Sequence, residues 1–204
     1  MRVEEIIKRL RKRYKGRFFM EVKDPFYVLI STLLSHRTKD ELTIKVAKRF
    51  FEKIKKPEDV LKLSVEEISR LIYPVGFYRQ KAKKIKKICK ILVENFGGKV
   101  PSEREELLKL PGVGPKTADC VLCYAFGKDV IPVDVHVKVI AKRLGLTKSN
   151  DIEEIRRDLH AVIPKKYRKI VNELFVQFGK DICRTKKPRC EICPIRELCI
   201  LKNK

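Results

Sequence analysis

The chain has 204 residues, 49 of them Lys or Arg against 26 Asp or Glu, which leaves a formal charge of +23. That length can bury a core, as one domain or two small ones. A charge of this size repels itself unless a polyanion is the usual partner, with nucleic acid the first candidate ahead of a merely soluble basic protein. No apolar run approaches the roughly 18 residues that span a bilayer, and the N-terminal MRVEEIIKRLRKRYKGRF lacks the uninterrupted apolar segment of a secretory signal. The expected setting is therefore intracellular and cytoplasmic, where the seven Cys stay reduced.

Helical periodicity runs through nearly every segment, which predicts an all-α fold. Ile6, Leu10 and Tyr14 recur at four-residue intervals on a basic N-terminal helix. After Pro25, the run FYVLISTLL is apolar all round and predicts a buried helix near the centre of the fold. Ser64 and Glu67 have capping-box spacing ahead of Ile68, Leu71 and Ile72. A helix from about Arg79 to Phe96 stops at Gly97 and Gly98. Its apolar stripe is Ala82, Ile85, Cys89 and Leu92, while Arg79, Lys81, Lys83, Lys84, Lys86, Lys87 and Lys90 take other positions with no acidic residue between them. Solvated faces generally mix signs, so the run reads either as solvated charge or as a phosphate-facing surface. Ser102 and Glu105 predict a second capping box, opening a short helix that ends at Leu110. A glycine turn follows, then a helix from Pro115 to Phe126 closed by Gly127. Asp134 is a candidate cap for the next helix, Asp151 with Glu154 for the one after, and Pro164 precedes a helix reaching about Phe178. Val130 to Val137 is the one weak strand candidate, and no repeat or low-complexity linker marks a domain boundary.

Within Leu110 to Cys123, LPGVGPKTADCVLC, Gly112 and Gly114 are free to adopt positive φ and to admit another backbone closely. Pro115 suits a first helical turn, where its missing N–H costs nothing. The expected helix, hairpin and second helix either bind a DNA phosphate through free N–H groups or simply pack two antiparallel helices. Lys116 has two readings as well. It is an amine nucleophile, since amines that attack carbon form Schiff bases, or a charge that holds a phosphate. A lysine nucleophile works with a carboxylate, and IPVDVHV supplies Asp134 eighteen residues on, a role compatible with capping.

Near the end stand Cys183, Cys190, Cys193 and Cys199, with intervening gaps of six, two and five residues. Four thiols within seventeen residues of a reduced chain point to metal. A zinc site usually has two CxxC pairs and only one is here, whereas a four-cysteine [4Fe–4S] cluster tolerates uneven spacing. The long gap holds Arg184, Lys186, Lys187 and Arg189, so a cluster pinning that loop makes a candidate phosphate clamp. Cys89, Cys120 and Cys123 lie in helical patterns and read as small core residues.

Together LPGVGPKTAD, VDVHV and the C-x6-C-x2-C-x5-C tail, with LLSHRTKD and VGFYRQKA in the same order, resemble the endonuclease III family of DNA glycosylases in the helix-hairpin-helix superfamily. The resemblance covers nearly the whole chain. It implies Lys116 as Schiff-base nucleophile, Asp134 as catalytic aspartate, and Cys183, Cys190, Cys193 and Cys199 as ligands of a [4Fe–4S] cluster. The fold implied is two helical domains with a DNA cleft between them. Residues 19–128 would form a six-helix barrel containing the helix-hairpin-helix, and residues 1–18 with 129–204 a discontinuous cluster domain. Gly112 and Gly114 would bind one strand through the backbone, and Lys186 and Lys187 would add phosphate contacts. Where the family commonly carries a gap-filling glutamine this chain has Arg37, and Phe77 stands at the place of an apolar wedge. The implied activity is that of a monomeric bifunctional glycosylase and abasic-site lyase, removing oxidised pyrimidines from double-stranded DNA. Two rivals remain. A mismatch-specific thymine or adenine glycosylase usually lacks the lysine at this place, and a non-catalytic, cluster-bearing DNA-binding protein needs neither Lys116 nor Asp134.

Overall fold

The apolar stripes of the sequence close into α-helices in a computed structural model, which describes residues 2–14 and 23–200. Among the described residues there are eleven α-helices and no strand. None of these helices is long and apolar enough to cross a membrane. The chain divides into two units, one contiguous (Phe19–Phe126) and one split (Met1–Phe18 with Gly127–Lys204). The boundary expected between residues 18 and 19 lies outside the described residues.

At the centre of the contiguous unit is α2 (Pro25–Ser35), the helix that is apolar all round. The Asp24 carboxylate accepts from the Tyr27 N–H at 2.7 Å to cap its start, and Val28, Leu29, Ile30 and Leu34 are wholly buried. It packs against α3 (Asp40–Lys53), α6 (Tyr78–Phe96) and α8 (Pro115–Cys120). Between them lie α4 (Pro57–Leu61), α5 (Val65–Ile72) and α7 (Arg104–Leu108). The capping box forms at α5, where the Glu67 N–H donates to Ser64 Oγ and the Ser64 N–H donates back to the Glu67 carboxylate. Ala82, Ile85, Cys89 and Leu92 bury their whole stripe on α6, and Gly97 ends that helix at φ +57°. The core roles expected of Cys89, Cys120 and Cys123 hold, all three being buried.

Four expectations need correction. Lys81 is not on the outward face of α6 but is buried, at 8% exposure, because α2 offers its ammonium oxygen acceptors. The box expected from Ser102 and Glu105 does not form. Helix α7 starts at Arg104 and ends at Leu108, short of the expected Leu110, and Ser102 Oγ donates instead to the Glu103 side chain at 3.3 Å. Helix α8 is α-helical only to Cys120 and continues as a π-helical turn, Val121–Ala125. The Val130 to Val137 stretch forms no strand. Val130, Ile131 and Val133 are buried in irregular chain, and Val137 already belongs to the next helix.

The split unit is built from α1 (Arg2–Arg13), α9 (Val135–Arg143), α10 (Ile152–Val162) and α11 (Lys165–Asp181). Ile6, Ile7 and Leu10 of α1 join Val137 and Ile140 of α9 and Leu174, Phe175 and Phe178 of α11 in one core. Tyr14, just past α1, donates its hydroxyl to Asp181 at the end of α11, at 2.8 Å. Gly179 is required inside α11 because a Cβ there would stand 2.5 Å from His136 Nδ1 on α9.

Candidate functional site

In the contiguous unit the glycine turn joins α7 to α8. Gly112 sits at φ +85°, so the turn needs glycine for its backbone, and the Lys84 side chain lies close over it. Gly114 does not share the positive φ expected of it. It is extended, at φ −100° and ψ −178°, because it caps α8 and precedes Pro115, whose ring forces the preceding residue out of the helical region. Beneath the turn, Arg104 of α7 donates to Asp119 of α8 at 2.9 Å, with Asp119 only 1% exposed. Lys116, the second residue of α8, is half-buried, and its neighbour Thr117 is fully so. Thr117 Oγ1 shares a hydrogen bond with His36 Nε2 at 3.2 Å, which ties α8 to the loop after α2.

That loop carries Arg37, and the turn before α6 carries Phe77. Both are non-glycine residues in the left-handed region, at φ +52° and +58°. The Arg37 guanidinium lies over the exposed Phe77 ring, 5.2 Å from its centroid. Arg37, Phe77, Lys84 and Gly112 face a common pocket of about 300 Å³, so the contiguous unit brings together the two insertion candidates and the glycine turn. Sequence reasoning missed His36 and the burial of Lys81, both of which line this pocket, and Thr38, which hydrogen-bonds Lys81 beside it. One signal for Lys81 was available: it lies four residues before Ile85 and so continues the buried stripe of α6. Burial, then the charges of Lys116, Lys81 and Lys84, pull the His36 imidazole down to about 4.

In the split unit Asp134 caps α9, Oδ1 accepting from the Val137 N–H at 2.8 Å. The other end of α9 carries Arg143, also missed from sequence. Its guanidinium donates to the carbonyls of Cys183 (3.1 Å), Arg184 (2.7 Å) and Thr185 (2.9 Å) and to Cys183 Sγ (3.3 Å). Cys199 Sγ donates to the Arg143 carbonyl at 3.2 Å. Cys183, Cys190, Cys193 and Cys199 all line one cavity of about 130 Å³. Lys186 and Lys187 are exposed on the loop between the first two and do not line it.

Residues 30–165 match the HhH-GPD superfamily of base excision DNA repair proteins. Endonuclease III of Thermotoga maritima is 44% identical over 195 residues, covering 96% of this chain and 89% of that one. The chain belongs to the endonuclease III family. It is thereby a base-excision-repair enzyme, a DNA glycosylase with abasic-site lyase activity. Endonuclease III of Bacillus subtilis is 41% identical over 177 residues, 86% of this family member and 81% of the relative. Among solved structures, a trapped endonuclease III–DNA covalent intermediate superposes with a TM-score of 0.90 at 37% identity, covering 97% and 94% of the two chains. A thermostable thymine-DNA glycosylase superposes with a TM-score of 0.88 at 28% identity, over 98% and 95%.

Proposed function

We propose that this endonuclease III family member removes oxidised pyrimidines from duplex DNA and cuts the strand by β-elimination, with Lys116 as nucleophile and Asp134 as the carboxylate that offsets positive charge on the sugar. The damaged nucleotide leaves the stack, since its C1′ is out of reach inside the duplex. Lys116 Nζ bonds to C1′ as the bond to the base breaks, the base leaving with the electron pair and taking a proton. The amine gives up its proton, the sugar ring opens, and the resulting imine acidifies the C2′ proton. Loss of that proton breaks the C3′–O bond and releases the 3′ phosphate. Arg37 and Phe77 fill the space vacated by the extruded nucleotide. Gly112, Gly114, Lys186 and Lys187 contact phosphates, which position the protein without reading sequence.

The observation that carries this reading is the lysine at position 116, on the helix that opens from the glycine turn. It favours a lyase over a mismatch glycosylase, and a relative at 37% identity has been captured as a covalent intermediate with DNA.

Cys183, Cys190, Cys193 and Cys199 would hold a [4Fe–4S] cluster. The four thiols line one shared cavity of about 130 Å³, and an all-cysteine donor set of this kind suits a polynuclear iron–sulfur group. Held by Cys183 and Cys190, such a group would pin the one loop that carries Lys186, Lys187 and Arg189.

Borohydride reduction tests the chemistry, because it converts the imine to a stable amine. The wild type should form a covalent complex with abasic-site duplex, and Lys116→Gln should form none while its affinity stays within a few-fold. Trapping by Lys116→Gln at the wild-type yield would remove Lys116 from the reaction.

A further inference from the structure

We infer that Lys81, with Thr38, is a positioning residue that sets the Arg37–Phe77 pair and thereby the enzyme's discrimination of damaged from undamaged DNA. The inference rests on the proposed insertion of that pair at the damaged site. It begins from a buried cation: on a helix rich in exposed lysines, Lys81 is 8% exposed. Burial costs an ammonium its hydration, so its donors must be satisfied inside. Lys81 Nζ donates to the Leu34 and His36 carbonyls, each at 2.7 Å, and to Thr38 Oγ1 at 3.3 Å. The two carbonyls lie at the C-terminal end of α2, where a helix leaves its acceptors unpaired.

Thr38 completes the lock. Its hydroxyl accepts from the Gly76 N–H at 3.1 Å and donates to the His36 carbonyl at 3.2 Å. Gly76 closes directly on the other loop, since a Cβ there would stand 2.5 Å from the Arg37 carbonyl oxygen. Arg37 and Phe77 are thus each bracketed: Arg37 lies between two residues bound to Lys81, and Phe77 between Gly76 and the helix that carries Lys81. Neither residue is a glycine, yet both are held at positive φ, which persists only where surrounding contacts fix it. The stacked guanidinium and ring are presented as one object from two loops. Burial also pulls the Lys81 ammonium down to about 8.

The test compares Lys81→Met, Thr38→Val and Thr38→Ser with wild type for affinity to two duplexes of one sequence, undamaged or carrying a non-cleavable tetrahydrofuran abasic analogue. A 2-aminopurine opposite the analogue reports stacking of inserted side chains. Thr38→Val and Lys81→Met should keep undamaged affinity within about twofold but lose about tenfold of the preference for the analogue, as expected for one or two lost buried hydrogen bonds, and the 2-aminopurine signal should change with it. Thr38→Ser keeps the hydroxyl and should restore both. An unchanged preference in Thr38→Val overturns the inference, as does a parallel fall on both duplexes. So does unfolding of Thr38→Val and Lys81→Met under conditions where wild type and Thr38→Ser stay folded, since the lock would then serve stability alone. A wild type with no preference for the analogue would instead strike the proposed function.

Discussion

His36 is the residue whose charge state the fold constrains most usefully. Burial and three neighbouring lysines hold its imidazole at about 4, against 6.5 for the free side chain. Between those values the unfolded chain takes up a proton that the folded chain refuses. Stability from this site is therefore intact above about pH 6.5 and falls as pH drops toward 4, by roughly 3 kcal/mol in total. Urea unfolding at pH 7 and pH 4.5 should show a smaller acid loss in His36→Gln than in wild type, by roughly 2 kcal/mol. Equal losses would mean that the imidazole is protonated without cost. At this scale sequence was informative where atoms close along the chain settle a residue's place, as for Asp134, which caps α9 as expected. It was silent where the meaning of a side chain depends on atoms from a distant helix. Lys81 sits in register with the buried stripe of α6, but nothing in the sequence names its partners, the carbonyls ending α2 that make it a buried donor.

Elements defined by their own local chemistry were legible; elements positioned by packing were less so. Ser64 and Glu67 close their capping box, and Gly97 ends α6, because the atoms that settle each lie within a turn of one another. Ser102 and Glu105 have the same spacing and fail, because the five-residue α7 takes its register from buried Leu107 and the Arg104–Asp119 pair. Helix α3 was overlooked since its buried stripe, Thr43, Val46, Ala47 and Phe50, opens on a polar residue beside exposed Ile44. The pair beneath the glycine turn carries a prediction of its own. Removing one partner of a buried ion pair leaves the other uncompensated, so Asp119→Ala should destabilise the protein by about 3–5 kcal/mol. The urea midpoint should fall accordingly, and Asp119→Asn, which keeps an acceptor, should cost less. A loss below about 1 kcal/mol for Asp119→Ala, the size of an exposed surface pair, would show that the hairpin is held by its apolar contacts alone.

For the whole molecule, a charge of +23 overstates what DNA meets, because some cations are turned inward. Lys81 is spent on carbonyls of α2, Lys86 donates to the Leu63 carbonyl, and Arg143 is bound to the cysteine loop. The exposed charge on the 184–187 loop is available to phosphates. With about four to six phosphates neutralised, log K for duplex binding should fall against log salt with a slope of roughly −3 to −6 in a Lys116→Gln background. Replacing Lys186 and Lys187 with Ala should flatten that slope by up to about two units and weaken damaged and undamaged duplex alike. Arg37→Ala should leave the slope nearly unchanged while lowering affinity for abasic duplex much more than for undamaged duplex, because a space to fill exists only when the nucleotide is extruded. Lys81→Met should likewise leave the slope unchanged, since a buried ammonium releases no counterion from DNA. Salt titrations in which Lys81→Met flattens the slope, or in which the Lys186 and Lys187 variant loses discrimination while keeping its slope, would reverse this assignment of charge to surface and interior.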